Sequence, residues 1–337
     1  MSQTISVIEG DGIGPEIMSA AIRVLDAMGC GFEYETVDAG LFALEKHGDL
    51  LPKPTLDSIR RNGVALKGPL TTPVGKGFRS VNVTLREIFD LYANVRPVVS
   101  FPGTRAHFDN VDIITVRENT EGAYLAADAR VSEDGSRAES KMIITRKGSE
   151  RVTRYAFELA RTDGRKKVTL VHKANILKAV SGLFLDVSRE VAAEYPDIEC
   201  EEMIVDATCM RLVMDPGRFD VIVTTNLFGD IISDLCAGLV GGLGLAPGAN
   251  IGADAAIFEA VHGSAPDIAG RGIANPCALL LAAAQMLTHC GQEQRARRLR
   301  AAIAATIADG DRTTPDLGGS GTTRTFADAI IERIPEA

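Results

Sequence analysis

A chain of 337 residues, 45% hydrophobic and 24% charged, is long enough for two modest domains around sizeable cores. A net charge of −9 with no offsetting block of Lys and Arg argues against a nucleic-acid or membrane-surface role. The longest apolar stretch, 278–287, is interrupted by Gln285 and too short to span a bilayer. No charged segment followed by an apolar core opens the sequence, so a cytosolic location is expected. Six cysteines show no C-x-x-C pair and no zinc-like His spacing, and read as reduced thiols.

In chain order, 4–9 alternates like a strand, and Gly10-Asp-Gly-Ile-Gly-Pro15 turns it into an apolar-periodic helix over 16–28. Strand, glycine turn and helix open an α/β domain. The pattern recurs with a strand at 63–67, a helix over 81–93 and a strand at 111–117. Residues 131–146 read as a hairpin around the turn Glu133-Asp-Gly-Ser-Arg137, a feature suited to a subunit interface. A helix over 151–161 and a strand over 167–172 follow. Residues 220–228 read as a buried strand ending in a short loop, and 256–260 as another strand. Helices are expected over 276–290, over 292–308 and from Thr325, with no internal repeat or low-complexity tract.

After the buried strand comes Gly229-Asp-Ile-Ile-Ser-Asp234. Positions four apart share a helix face, so Asp230 and Asp234 present their carboxylates together, with Asp206 a third acid upstream. Like charges at that spacing call for a cation between them. Oxygen ligands without nearby His or Cys point to Mg²⁺ or Mn²⁺ rather than Zn²⁺. Arg86, Arg96 and Arg117 end or follow regular elements, and three guanidinium forks beside three acids suit a substrate bearing several carboxylates. Ser80 and Asn82, at the start of the helix carrying Arg86, add polar contacts. Tyr124 and Lys173 are each able to move a proton if a cation or burial tunes them. In Gly10-x-Gly12-x-Gly14 the spacing departs from the dinucleotide fingerprint, and a tight strand-to-helix turn is the better reading. The loop His262-Gly-Ser-Ala-Pro-Asp267-Ile-Ala-Gly270 lets backbone approach a nucleotide, with Asp267 an acceptor for a ribose diol; alone it stays undecided.

Taken together, Gly10–Pro15, Leu91-Tyr-Ala-Asn-Val-Arg-Pro97, Arg117-Glu-Asn-Thr-Glu-Gly122, Lys173-Ala-Asn175, 226–234 and 262–270 resemble the β-decarboxylating dehydrogenases, the isocitrate and 3-isopropylmalate dehydrogenase family, over essentially the whole chain. The resemblance implies a non-Rossmann, isopropylmalate dehydrogenase-like α/β fold of two domains. Residues 1–92 and 242–337 form the large discontinuous one and 93–241 the small one, with a hairpin arm, about 122–146, at the interface of a homodimer at least. It further implies that Lys173 and Asp206 reach across from the partner while Asp230 and Asp234 belong to the home subunit. Lys173 then accepts the hydroxyl proton, through water, and Tyr124 protonates the carbon left by loss of CO₂. The residues matching the cofactor site are Leu70, Thr72, Asn175, Glu259, His262, Gly263, Ser264, Ala265, Asp267, Ile268 and Asn275, with Thr72 also facing substrate. Gly77-Phe-Arg-Ser80-Val-Asn82 looks like the isocitrate pattern, with homoisocitrate, isopropylmalate, tartrate and malate as alternatives. NADP-dependent relatives carry Lys and Tyr where this chain has Asp267 and Ile268, and Tyr and Arg where it has Pro315 and Gly319, so NAD is expected. A non-catalytic regulatory subunit of a hetero-oligomeric isocitrate dehydrogenase is the alternative of another class. The presence of every acid, arginine, Tyr and Lys named above argues against it.

Overall fold

The computed structural model describes residues 3–72 and 79–334. β1 (Gln3–Ile8) and β2 (Phe32–Thr36) flank α1 (Gly14–Ala27), and α2 (Leu41–His47) and α3 (Lys53–Asn62) precede β3 (Val64–Lys67). α4 (Val81–Ile88), β4 (Ala93–Val99) and β5 (Asp112–Glu118) lead into a hairpin of β6 (Gly122–Val131) and β7 (Ala138–Ile143). Next come α5 (Arg146–Thr162), β8 (Lys167–His172), α6 (Val180–Ala192), β9 (Glu199–Ile204), α7 (Val205–Met214), β10 (Val221–Thr224) and α8 (Asn226–Leu239). β11 (Pro247–Ile251), β12 (Ala256–Ala260), α9 (Cys277–His289), α10 (Glu293–Asp309) and α11 (Thr323–Glu332) complete the order.

All strands but the hairpin join one sheet in the order β2-β1-β3-β12-β11-β4-β5-β10-β8-β9. From β2 to β12 neighbours run parallel, as they do from β5 to β9. β11 pairs antiparallel with both β12 and β4, and β4 with β5. Two parallel blocks of opposite direction therefore meet at β11 and β4. Helices cover the faces, which is why β3 and β10 are short runs of buried residues rather than alternating ones. α9 is apolar all round because it lies buried among β11, β12 and α10. The α/β class expected from the glycine turns and strand–helix alternation holds, and the mixed sheet departs from the all-parallel dinucleotide fold. Among the described residues, no helix is long and apolar enough to cross a membrane.

Some boundaries move. The helix expected over 81–93 stops at Ile88, because Asp90 adopts a left-handed φ of 44° and Ala93 already pairs with Glu118 and Ile251. β4 escapes sequence reading because Pro97 interrupts its apolar run, and β9 because its acids break the alternation. The last helix begins two residues before Thr325, capped by Thr322, whose hydroxyl accepts from the Thr325 N–H at 3.1 Å.

Candidate active site

Where the two blocks meet, one sheet face carries a polar row. Directly opposed residues share a face, and the register opposes Lys67 to Glu259, Asn250 to Asn94, and Asn94 to Arg117. Arg96 lies two residues along β4 on the same side. Lys67 and Glu259 form a buried ion pair at 2.6 Å. Asn250 Nδ2 donates to Glu259 Oε1 at 2.7 Å. Burial alone would push the Glu259 carboxyl up, but Lys67, Arg86 and the Asn250 bond outweigh it and hold it at about 2.

α8 packs on β5 and turns its N-terminal half toward this row. The spacing of Asp230 and Asp234 does what four residues of helix require: Arg96 Nη1 lies 3.5 Å from Asp230 Oδ1 and 3.1 Å from Asp234 Oδ1. It also donates to Ser233 Oγ at 2.7 Å, while Arg96 Nε donates to Asn94 Oδ1 at 2.7 Å. Arg117, almost fully buried, donates to Asn226 Oδ1 at 3.1 and 2.7 Å and pairs with Asp230. The Arg86 side chain is buried beside them, and its guanidinium makes no hydrogen bond or ion pair among the described residues. Burial first, then Arg117, pulls its guanidinium down to about 10, so it stays charged at neutral pH.

Tyr124 donates to Asp230 Oδ2 at 2.5 Å, and the Arg117 guanidinium lies 4.9 Å from its ring centroid. Burial and the bond to Asp230 raise the phenol, which therefore keeps its proton. Burial raises Asp234, and Asp230 adds to that. In Asp230 burial is overcome by Arg117, the Tyr124 bond and Arg96, and the carboxyl falls. Two hard carboxylates on one helix face, one of them destabilised by the other, fit a divalent cation. Asp206 does not join them. It stands in the first turn of α7 and pairs with Lys173, which holds it below the ordinary carboxylate range. Among the described residues no three His, Cys, Asp or Glu gather as a metal site, so a single chain brings together two of the three expected acids. The Lys173 backbone is fixed by donation to Ser181 Oγ at 2.7 Å and that of Ala174 by His172 Nδ1 at 3.1 Å, with Asn175 exposed beyond them.

The glycine turn after β1 serves packing. A Cβ on Gly12, whose φ is +61°, would lie 2.0 Å from the Ser264 carbonyl oxygen, and Ile13 N–H donates to that oxygen at 2.9 Å. Asp11 accepts from the backbone of Leu41, Phe42 and Thr71, and Thr71 Oγ1 meets Ser264 Oγ at 2.6 Å. The start of the 262–270 loop is thereby pinned. His262 Nδ1 donates to the Gly263 carbonyl at 2.9 Å, and burial lowers the ring, leaving it neutral. A Cβ on Gly263 would meet open space, and Ala265 carries a left-handed φ of 38°. Asp267 is exposed with no partner among the described residues, whereas Ile268 packs against the core. Asn275 Nδ2 donates to Asp316 Oδ2 at 2.8 Å. Leu70 packs under α4 with Val81 and Leu85. Thr72 Oγ1 accepts from Val81 N–H at 3.2 Å, and Ser80 caps α4 by accepting from Val83 N–H. Asn82, with a buried Oδ1 lacking a partner, lines a cleft with Lys67, Arg86, Asn250 and Glu259. Gly77 and Phe78 of the substrate-selecting segment lie outside the described residues.

Lys67, Asn94, Ser233, Asn226 and Asn250 escaped sequence reading. For Lys67, Asn94 and Asn250 the available signal was a polar residue in a buried apolar strand, which must find partners.

A profile described as Isocitrate/isopropylmalate dehydrogenase matches residues 4–330. A mitochondrial NAD isocitrate dehydrogenase catalytic subunit 5 from Arabidopsis thaliana is 51% identical over 98% of this chain and 88% of its own length. A 3-isopropylmalate dehydrogenase from Archaeoglobus fulgidus is also 51% identical, over 98% of this chain and 99% of its own. The crystal structure of isocitrate dehydrogenase from Methylococcus capsulatus is 58% identical, with a TM-score of 0.96 and all of both chains covered.

Proposed function

The chain belongs to the isocitrate/isopropylmalate dehydrogenase family, and from that premise we propose that it oxidises and decarboxylates isocitrate with NAD and Mg²⁺ or Mn²⁺. The observation that carries this is the buried cluster of Arg86, Arg96 and Arg117: two aspartates face three guanidiniums, and that of Arg86 has no partner among the described residues. A buried guanidinium without an ion-pair partner calls for an anionic ligand, and a substrate carboxylate supplies it. Asn82 favours isocitrate over isopropylmalate, because its amide lines the cleft beside Arg86 and its Nδ2 can donate to a further carboxylate, which an isopropyl group cannot replace as an acceptor.

The ion and NAD, when bound, supply Lewis-acid polarisation and a hydride acceptor. The arginines hold the substrate carboxylates, and the Asp230–Asp234 face is the chain's own cation seat. Tyr124, kept protonated and oriented by Asp230, delivers its phenolic proton to the substrate carbon. Lys173 takes the hydroxyl proton at Nζ, from a partner subunit. Two observations support the shared site: within one chain Lys173 and Asp206 pair with each other instead of joining the arginine cluster, and α7 and α8 expose Met210, Val213, Met214 and Ile231. The hairpin arm would lie at the same interface. The sheet order supports the domain division, since β1, β2, β3, β11 and β12 come from 1–92 and 242–337, and the adjoining half from 93–241. NADH formation from isocitrate, homoisocitrate, isopropylmalate, tartrate and malate in parallel tests the reading. Isocitrate should give the highest kcat/KM, and a preference for isopropylmalate would remove the roles of Ser80 and Asn82.

A further inference from the structure

We propose that Asn94 and Asn250 are positioning residues that couple the substrate side of the site to its cofactor side, through a directional chain of hydrogen bonds from Arg96 to Glu259. This rests on the reading that Arg96 faces the hydroxy acid and Glu259 the nicotinamide end. The chain is continuous and buried. Arg96 Nε donates to Asn94 Oδ1 at 2.7 Å, Asn94 Nδ2 to Asn250 Oδ1 at 2.7 Å, and Asn250 Nδ2 to Glu259 Oε1 at 2.7 Å. Asn119, from the loop leading to Tyr124, adds a second donation to Asn250 Oδ1 at 3.0 Å.

Its direction is fixed at both ends. A guanidinium has only donors, and a carboxylate paired with Lys67 only accepts. Asn94 must therefore turn its oxygen to Arg96 and Asn250 its amide nitrogen to Glu259. No flipped arrangement satisfies both ends, so the amide orientations follow from chemistry. The link between them is the pair opposed across β4 and β11, the strands at which the two parallel blocks meet. A ligand that shifts Arg96 on one block pulls on a bond whose other side holds Glu259 on the next. In a water-poor interior such a network responds as a unit. Sites linked by two-ended strain of this kind show a coupling free energy that is reciprocal.

The test uses the full chain with Mg²⁺ and reads NADH binding by nicotinamide fluorescence, with and without isocitrate. NADH cannot oxidise isocitrate, so the ternary complex is stable. In the parent protein isocitrate should change the NADH Kd by about fivefold or more. Asn94→Asp keeps an acceptor for Arg96 but cannot donate to Asn250, and Asn250→Leu, of similar branching shape, removes both bonds of the chain together with those to Asn119 and the Ile257 carbonyl. In either variant each ligand alone should bind within about fivefold of the parent, while the coupling factor falls to within about twofold of one. A purely structural role would weaken both ligands and leave the factor intact. Should Asn250→Leu not fold, Asn94→Asp decides. Folded variants that keep the parent's factor overturn the proposal, as does a parent that turns over isocitrate with a factor of one. If isopropylmalate is the acid consumed, the same measurement is made with it. A parent that consumes no hydroxy acid removes the functional reading and the coupling together.

Discussion

Glu259 is buried yet ionised, and Lys67 is the group that makes this tolerable. Removing one partner of such a pair strands the other, so Lys67→Met should lower stability by about 3–5 kcal/mol in denaturant titration. Adding Glu259→Gln to it should restore most of that loss, because no charge is then left unpaired; no restoration would mean that Lys67 contributes through packing. The same carboxyl sets a pH limb. Its folded value of about 2 lies below its ordinary 4.5, so its stabilisation is complete above pH 4.5 and disappears as pH falls toward 2. Glu259→Gln should flatten unfolding free energy against pH in that window, and an unchanged acid limb would assign it to other carboxylates. On α8 the expectation concerns the cation. Asp234, raised by burial and by Asp230, is poised to gain from a divalent ion, so Asp234→Asn should raise the metal concentration for half-maximal activity sharply. Full activity of the parent in excess chelator would end the metal reading. Asp230, Asp234 and the arginines were legible from residue type and spacing, and Tyr124 only through the family resemblance, while Asp206 was expected beside them and pairs with Lys173 instead. Asn94, Asn250 and Lys67 were not legible, because one polar residue in an apolar strand has no period and reveals its role only when its neighbours across the sheet are known.

At the scale of elements, the glycine turn shows why a motif and its role separate. Gly10-x-Gly12-x-Gly14 has the look of a phosphate loop, yet its glycines are required by the carbonyls of Pro69, Ser264 and Glu9 that press against Gly10, Gly12 and Gly14 in turn. Gly12→Ala meets both a positive φ and a carbonyl oxygen at 2.0 Å. It should cost about 1–3 kcal/mol of stability and raise KM for NAD more than KM for the hydroxy acid. Equal effects on both substrates would detach the turn from the loop's function. The loop carries the cofactor prediction. Asp267 is exposed and unpartnered among the described residues, as an acceptor awaiting a ribose would be, and bonds to a charged group contribute about 1.5–3 kcal/mol. Asp267→Lys with Ile268→Tyr should lower kcat/KM for NAD by about ten- to a hundredfold and raise use of NADP. Because Ile268 packs against the core, the variant's melting temperature must be checked first. A folded variant with an unaltered preference would move the adenosine site elsewhere. Strands after glycine turns and long amphipathic helices were legible here. The helix ending at Ile88 was overrun because its stop is a left-handed Asp90, a backbone choice with no residue-type signature in this chain.

In the whole molecule, one chain keeps Lys173 and Asp206 apart from the other residues of the proposed site. Arg86, Arg96, Arg117, Tyr124, Asp230 and Asp234 gather at the seam of the sheet, while Lys173 and Asp206 satisfy each other on α7 and the loop after β8. A lysine accepts a proton only as the neutral amine, and a facing carboxylate favours its charged form, whereas in a dimer both groups can turn toward the neighbouring cluster. The exposed Met210, Val213 and Met214 on the same helix as Asp206 give that neighbour an apolar surface to cover. If two copies share sites in this way, a two-fold dimer holds two sites, each using Lys173 from one chain and Asp230 from the other. Lys173→Ala and Asp230→Asn chains are then each inactive alone. After subunit exchange, half of the dimers formed from an equal mixture are mixed, and each mixed dimer has one site with neither substitution. Activity should therefore recover to about one quarter of the parent's. Recovery should follow the rate of exchange measured by a label on one chain. Proven exchange without recovery would mean that each chain closes its own site, with Lys173 swinging away from Asp206 when substrate arrives.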